Sequence, residues 1–392
     1  MRAVLLWLVA APSLAMAQSS SRGDTVRAVI AATIAEDSPR TAFLFGSVSG
    51  LAVDMVGRVY VSDADQAHVA VFSTDGKPLI TIGRRGKGPG EFESPTGPVI
   101  GTDGALYVRN MSAVSRFVAD AKTGQLSRFD RAFAGPWMAP WRSKLATVID
   151  KSGRLHFPLE WGSQVDGLTH FAYLRYTLDG RKLDSIGVPM QPTARSNWAS
   201  VQIGKGSGRM VNGINVVPFH PIPVFAVSAS GTILSSPSDR YLVRETDAAQ
   251  RAVREITRAI PAPTIPPAER ADSARALARR LDSLRVPIAE VRGVSEEVKA
   301  RRLPEVYPIF RSLTSAPDGT IWARRWSAAS QRGTSWFDVL SDDGRYLRTV
   351  VVPADCTTLP APVVRNGVFA CVQLAADTDE ETVIIARVPA RP

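Results

Sequence analysis

Short segments of alternating apolar and polar residues recur along the chain, and successive segments meet at turns that contain glycine. Alternation with a period of two predicts half-buried β-strands, and Asp-Gly, Ser-Gly and Asn-Gly turns supply the positive φ that tight hairpins need. Six hairpins of this kind are predicted, with turn glycines at Gly57, Gly104, Gly153, Gly231, Gly319 and Gly367. The pattern therefore predicts an all-β chain.

A second hairpin follows most of the first ones, as in VAVFSTDGKPLITIG, LRYTLDGRKLDSIG and FDVLSDDGRYLRTVVV. Two hairpins make a unit of four strands. Three spacings between the turn glycines are 47, 49 and 48 residues, and the other two are 78 and 88. Spacings of about 40–50 residues are typical of one propeller blade. The sequence therefore predicts a six-bladed β-propeller in which two blades are followed by insertions.

The last predicted blade contains only three strands of its own, near residues 362–365, 368–373 and 382–388. An alternating segment, Asp24–Ile34, lies near the start of the chain and has no partner in the repeat. If it pairs as the fourth strand of the last blade, it closes the ring and covers an open sheet edge. We therefore expect closure by an N-terminal strand.

The glycine-rich stretch Gly83–Pro95, GRRGKGPGEFESP, lies between two predicted blades. A phosphate-binding loop needs Gly-x-x-x-x-Gly-Lys-[Ser/Thr] between a strand and a helix. Here Gly88 follows Lys87, and the next segment is a predicted strand. The stretch is better explained as a crossing between blades, where glycines permit the reversal and Phe92 can insert between blades.

This crossing and the hairpin after it, TGPVIGTDGALYV, resemble the NHL-repeat signature over roughly Val48–Arg109. The whole chain is similar in layout to exported bacterial six-bladed propeller proteins of the NHL-like class. The resemblance implies the fold. It implies function only weakly, because propellers support many unrelated activities.

The first 17 residues have the pattern of a signal peptide. Arg2 precedes an apolar run, Ala3–Leu14, and Ala15, Met16 and Ala17 form a small-x-small cleavage site. The alternative, a membrane anchor, needs about 20 apolar residues, and this run is shorter. We expect residues 18–392 to form the propeller, exported to the periplasm or secreted, with no membrane anchor.

The charge and the two cysteines limit the partners. The net charge is +10, but no block of five or more cations forms a nucleic-acid arm, so we expect no nucleic acid and consider an anionic ligand. Export favours a disulfide between Cys356 and Cys371. Metal binding by this pair is the weaker alternative, because a zinc site needs two further ligands.

Both long insertions lie at blade crossings. The first, residues 189–221, has the composition of an extended hairpin or irregular cover. The second, residues 261–304, predicts a helix between blades 4 and 5, and a second short helix near Ser295–Arg302. In a propeller, the crossings and the middle loops of the blades share one face. We call this side the crossing face, and we expect the helical insertion to cover it.

Arginine and tryptophan are concentrated in segments assigned to the crossing face. These residue types recur at binding hot spots, because they offer large contact area and fixed donors. The predicted ligand-binding residues are Arg84, Arg109, Arg324, Arg325, Trp161 and Trp326. For each tryptophan, packing between blades is the alternative explanation.

Catalytic motifs are absent from the sequence: no His-Glu-x-x-His, Cys-x-x-Cys or Gly-x-Ser-x-Gly occurs. His68 and His170 fall in middle loops, and so do the acidic clusters DADQ and ADTDEE, but neither set has the spacing of a known metal site. We predict an exported, monomeric binding or scaffold module without a cofactor. The alternative is a lyase or lactonase-type hydrolase with a metal on the propeller axis.

Overall fold

The alternating segments pair as antiparallel strands in the structure, a computed structural model of the chain. The structure describes residues 16–18, 25–38, 43–137, 144–162, 169–190, 198–203, 209–215, 218–283, 303–326, 331, 333–375, 378 and 380–390. Among these residues, no helix is long and apolar enough to cross a membrane.

The strands form six sheets of four along the chain, together with short additions. The N-terminal strands are β1 (Met16–Gln18), β2 (Thr25–Arg27) and β3 (Val29–Ile34). The next sheets contain β4 (Val48–Val53), β5 (Val59–Asp63), β6 (His68–Phe72) and β7 (Pro78–Ile82), then β8 (Pro95–Ile100), β9 (Leu106–Asn110), β10 (Ala113–Val118) and β11 (Arg128–Ala134), then β12 (Val148–Ile149), β13 (Leu155–Gly162), β14 (Thr169–Tyr176) and β15 (Lys182–Gly187).

A two-stranded hairpin and three further sheets complete the chain. The hairpin is β16 (Trp198–Ile203) and β17 (Arg209–Asn215). The remaining sheets contain β18 (Val224–Val227), β19 (Ile233–Ser236), β20 (Leu242–Thr246) and β21 (Ala252–Arg258), then β22 (Phe310–Ser315), β23 (Ile321–Arg325), β24 (Ser335–Leu340) and β25 (Tyr346–Val352), then β26 (Val363–Arg365), β27 (Val368–Leu374) and β28 (Glu381–Arg387), to which β3 is added.

These sheets are the blades of the predicted six-bladed propeller, and the first strand of each lies next to the axis. We number the blades from the sheet that contains β3. Blade 1 is β26, β27, β28 and β3, and blades 2 to 6 are β4–β7, β8–β11, β12–β15, β18–β21 and β22–β25. The turn glycines explain the hairpins, since the inner turn of blade 6, for example, needs the φ of +99° that Gly319 adopts.

The N-terminal segment closes the ring, but it divides between two blades. Strand β3 pairs antiparallel with β28, from Val383↔Ile34 to Arg387↔Val29, as predicted. The first half of the segment differs from the prediction, because β2 pairs in parallel with β25 of blade 6. Strand β25 is the outer strand of blade 6, and its free edge forms hydrogen bonds with the backbone of β2. Further along, β1 pairs in parallel with β21 of blade 5, and cleavage after Ala17 would leave only Gln18 of this strand.

The helical insertion contains one described helix, α1 (Pro267–Ser283). It lies between blades 5 and 6, so the predicted position between blades 4 and 5 is wrong in this numbering. The prediction numbered the blades from the hairpin of Gly57. The present numbering starts instead at the closing sheet, because β3 is the first strand of the chain that belongs to a blade of four. The predicted second helix near Ser295–Arg302 falls outside the described residues. The first insertion contains the β16–β17 hairpin.

The hydrophobic core is divided among the interfaces between neighbouring blades. Between blades 2 and 3, for example, Val69 and Val71 pack with Leu106 and Phe117. Phe92, from the glycine-rich crossing, is fully buried in this same cluster, 5.8 Å from the ring of Phe117. The crossing therefore contributes to packing between blades, and no phosphate-binding loop is formed.

A disulfide joins Cys356 and Cys371, with a Cα–Cα distance of 5.6 Å. Cys356 lies in the crossing from blade 6 to blade 1, and Cys371 lies in β27. The disulfide therefore attaches this crossing to the second strand of blade 1.

Candidate functional site

The inner strands of all six blades surround a cavity of about 1030 Å³, which we call the axial cavity. Its middle is mainly apolar. Each inner strand contributes an apolar residue to the lining there: Leu51, Val99, Val148, Phe225, Leu313 and Val363. Its charged side chains lie near the ends of these strands. They are Lys144, Glu160 and Arg311 toward the crossing face and Asp150, Lys151 and Arg365 toward the other face.

Arg311 reaches the cavity because of a β-bulge. Strand β22 pairs with β23 through Phe310↔Arg325 and Ser312↔Arg324, and the register shift between these pairs leaves Arg311 as the extra residue. A bulge changes the direction of the side chain that it carries. The Arg311 side chain is 35% exposed and lines the cavity.

A second guanidinium lies beside that of Arg311. It belongs to Arg324, on the neighbouring strand β23. Arg324 is buried, and its Nη2 donates to Asp355 Oδ1 at 2.7 Å, while its Nη1 donates to the carbonyl oxygen of Cys356. Burial lowers the pKa of Arg324 to about 10, and the positive charge of Arg311 adds to this shift while Asp355 opposes it. Arg324 is therefore charged at neutral pH, and Asp355 is held by it.

Trp326 provides an aromatic surface beside these cations. The guanidinium carbon of Arg311 lies 4.7 Å from the centre of the Trp326 ring. Tyr307 stacks on the same tryptophan at 6.0 Å, and Phe219 contacts it edge-on at 6.3 Å. The Tyr307 hydroxyl donates to Glu269 of α1 at 2.7 Å. The helical insertion is thus attached to the aromatic group at the cavity mouth.

Trp326 also lines a second, smaller pocket of about 530 Å³ beneath helix α1. The other lining residues include Phe219, Pro266, Glu269 and Ser273. The tryptophan therefore lies between this pocket and the axial cavity.

An ion pair lies across the crossing end of the axis. Lys144, in the segment between blades 3 and 4, places its Nζ 2.5 Å from Oε1 of Glu381 at the start of β28 in blade 1. The other oxygen of Glu381 accepts from the backbone N–H of Val48 in blade 2. The charge of Lys144 is therefore already matched by a protein carboxylate.

Five of the six predicted binding residues do not line the axial cavity: Arg324 lies behind it, beside Arg311, and the other four lie further away. Arg109 is 1% exposed and donates from Nε to Thr96 Oγ1 at 3.2 Å, and its burial lowers its pKa to about 10. Arg325 lies 3.4 Å from Asp338, on the opposite side of β23 from Arg324. Trp161 stacks on His170 at 5.6 Å, and Arg84 is exposed and pairs with Glu91 at 2.8 Å.

Of the predicted set, only Trp326 lines the axial cavity, and Arg324 is connected to it through Arg311, which contacts the tryptophan ring and shares Asp355 with Arg324. Sequence reasoning missed Arg311, although it stands in FRSLT, the start of an inner strand, which is the position where axial residues are expected. The bulge that directs Arg311 toward the axis has no visible signal in the sequence.

Within the part of the chain that the structure describes, no three His, Cys, Asp or Glu side chains lie close enough to share a metal ion. His68 packs edge-on against Phe43 at 5.9 Å, and burial lowers its pKa while the charge of Asp63 opposes the shift. Asp63 accepts backbone N–H groups of its own loop. Asp377 and Asp379 lie outside the described residues. No observation on the described residues favours the predicted alternative of a metal-dependent enzyme.

The family comparison agrees with this architecture. Residues 40–126, which contain strands β4 to β10, match the domain family DUF5128, described as a 6-bladed β-propeller. The chain is a six-bladed β-propeller. The match supports the propeller and leaves the NHL label as a resemblance. No curated protein matches the sequence.

Solved structures with similar folds are distant. A Bacteroides fragilis protein described as exported is 8% identical, with 92% of this propeller and 95% of that chain covered and a TM-score of 0.44. Virginiamycin B lyase from Staphylococcus aureus is 11% identical, with 87% and 95% covered and a TM-score of 0.38. Aldose sugar dehydrogenase from Streptomyces coelicolor is 12% identical, with 91% and 98% covered and a TM-score of 0.40. At these levels the similarities carry no argument about what this propeller binds.

Proposed function

We propose that this propeller is an exported binding protein that takes a small ligand into its axial cavity from the crossing face. Arg311 orients the ligand by its guanidinium donors, and Trp326 offers a flat apolar surface at the entrance. Arg324 holds Asp355 Oδ1 by a hydrogen bond, so this carboxylate is shared by two guanidinium groups and leaves the donors of Arg311 without a hydrogen bond among the described residues. Export rests on the predicted signal peptide, residues 1–17.

The observation that carries the proposal is the combination of a mainly apolar cavity with a cation and an aromatic ring at one end. A volume of about 1030 Å³ is at the upper end of the range, about 300–1,000 Å³, that small-molecule sites occupy. Such sites have apolar walls and a few polar groups that fix orientation. The axial cavity has this composition.

The entrance is apolar as well as cationic. Ile222 and Leu359 both line the cavity, and they are 40% and 44% exposed. Exposed large aliphatic side chains beside a cavity mouth favour a ligand that brings apolar surface of its own. Arg109, Arg325, Trp161 and Arg84 have protein contacts away from this cavity, and the proposal does not depend on them.

A ligand screen with a blocked variant tests the proposal. Ala146 lines the cavity near its crossing end, and Ala146→Trp should fill part of the space. Ala249, in an exposed outer turn, provides the matched control Ala249→Trp. Thermal shift is measured with a panel of carboxylates, phosphates, amines and sugars.

Compounds that stabilise the wild type and Ala249→Trp, but not Ala146→Trp, would support binding in the cavity. If no compound binds, or if every compound binds all three proteins equally, the proposed function is wrong.

A further inference from the structure

We infer that the ligand of the axial cavity is an amphiphilic monoanion, a carboxylate carried on an unbranched or cyclic apolar body. This rests on the proposed function and specifies the ligand's chemistry. Three features lead to it: the charge of the cavity lining, the unmatched donors of Arg311, and the apolar middle of the cavity.

The charge of the lining favours an anion. Among the described residues that line the cavity, four are cations, Lys144, Lys151, Arg311 and Arg365, and two are acids, Asp150 and Glu160. Asp150 already accepts hydrogen bonds from His156 and Arg154, which do not line the cavity. Lys144 and Lys151 are paired with Glu381 and Asp342. Arg311 and Arg365 therefore account for the positive charge that remains.

Arg311 is the cation with donors to spare. Its nearest carboxylate oxygen, Asp355 Oδ1, lies 3.8 Å from Nη1, which is beyond hydrogen-bond distance, and that oxygen already accepts from Arg324 at 2.7 Å. Within the described residues, Arg311 has no hydrogen-bond partner. Two guanidinium groups thus share one carboxylate, and one further negative charge would balance them. A single carboxylate matches the paired donors of a guanidinium.

The middle of the cavity selects for apolar ligand surface. The six side chains that represent the inner strands there are aliphatic or aromatic, as given above. The lining also includes a few hydroxyl side chains, among them Thr147, Ser312 and Thr314. A polyhydroxylated ligand would exchange all of its hydrogen bonds with water for these few groups, which is costly. An alkyl or alicyclic body instead gains free energy with every methylene that leaves water.

Glu160 is the one lining acid without a pairing cation among the described residues, and it belongs to blade 4, whereas Arg311 belongs to blade 6. A ligand with a cationic group could use Glu160. The experiment therefore compares head groups of all three charges on one alkyl chain.

Isothermal titration calorimetry of the purified mature protein with octanoate, octanol and octylamine tests the inference. We expect octanoate to bind at least tenfold more tightly than octylamine. Across butyrate, hexanoate and octanoate, we expect affinity to rise by up to about fourfold per methylene. Ala146→Trp should abolish this binding and Ala249→Trp should not.

Arg311→Gln tests the role of the guanidinium. We expect it to weaken octanoate by at least tenfold and to leave octanol within twofold, because octanol has no charge to lose. Arg311→Lys should restore much of the octanoate affinity. Arg345→Gln, at an exposed ion pair in an outer turn, is the matched control and should change neither. Since Arg311 is partly exposed and not hydrogen-bonded within the described residues, its replacement should leave the fold intact.

Three outcomes would overturn the inference: octylamine binding as tightly as octanoate, no dependence on chain length, or an equal effect of Arg311→Gln on octanoate and octanol. A further outcome separates the inference from the proposed function. If octanoate does not bind, but other compounds of the screen bind and Ala146→Trp blocks them, the inference of an amphiphilic monoanion is wrong and the proposed function stands. Cosedimentation with phosphatidylglycerol vesicles separates a free acid from a membrane surface. Binding to the vesicles that exceeds octanoate binding would contradict a free acid.

Discussion

Removing the carboxylate of Asp338 should strongly destabilise the interface between blades 5 and 6. Asp338, in β24 of blade 6, is fully buried, and its Oδ2 accepts from Nη1 of Arg258, in β21 of blade 5, at 2.7 Å. The Arg258 side chain is 4% exposed, and its guanidinium lies 3.6 Å from the ring centre of Tyr346. Asp338→Ala leaves this cation buried without its carboxylate.

The structure sets the size of the effect. The lost charge-assisted hydrogen bond alone is worth about 1.5–3 kcal/mol. Arg258 then stays buried with only the rings of Tyr346 and Tyr241, 3.6 and 5.3 Å from its guanidinium carbon, as favourable contacts of its charge that the structure describes. Breaking a buried pair in this way typically costs about 3–5 kcal/mol, and we expect the free energy of unfolding to fall by this amount. The double variant Arg258→Met with Asp338→Leu should recover part of it, because two apolar side chains remove both buried charges, although Arg325 and Thr349 still lose Asp338 as a partner.

Equilibrium unfolding in urea, followed by tryptophan fluorescence and circular dichroism, measures these differences. Asp343→Ala, at an exposed pair with Arg345 in an outer turn, is the control, and it should shift the midpoint little. The reasoning is refuted if Asp338→Ala shifts the midpoint no more than Asp343→Ala. It is also refuted if the double variant is less stable than Asp338→Ala.

Three further predictions concern the disulfide, a buried carboxylate and ring closure. Replacing Cys356 and Cys371 by serine should lower the free energy of unfolding by about 3 kcal/mol, the value for a 15-residue loop, measured by denaturation; two alkylatable thiols in exported protein would contradict the bond. Burial raises the pKa of Asp150, but hydrogen bonds, that of His156 foremost, hold it below its usual range. The stabilisation by this carboxylate is therefore complete above about pH 4 and is lost as the pH falls further. In Asp150→Asn, the free energy of unfolding should therefore fall less steeply as the pH is lowered below about 4. Deleting residues 25–34 should expose the outer edges of two blades and cause aggregation in light scattering, and an unchanged elution volume and melting temperature would disprove closure by this segment.

Much of the architecture follows from local patterns in the sequence. The period-two alternation and the turn glycines predict each hairpin, because both act within about 15 residues of one another. The count of hairpins and the spare segment near the start predict six blades and the pairing of β3 with β28, which the structure contains. The two cysteines, close in sequence and in a chain with a predicted signal peptide, predict the disulfide, which the structure contains.

The candidate site was only partly predictable. Arginine and tryptophan in predicted crossing loops led to Trp326 and Arg324, but the same criterion selected Arg109, which is buried beside Thr96 within blade 3. Whether such a side chain faces the axis depends on bulges and on packing between blades. Neither has a local sequence signal.

By itself, the sequence determined the number of blades, the positions of the hairpin turns and the closing strand, because each depends on periodicity and turn chemistry over short distances. Only the tertiary structure decided that a bulge turns Arg311 toward the axis, that Arg324 rather than Arg311 holds Asp355, and that β2 pairs with a blade different from that of β3. These contacts join residues from separate blades or distant segments. Their geometry is fixed by how the folded sheets pack around the axis.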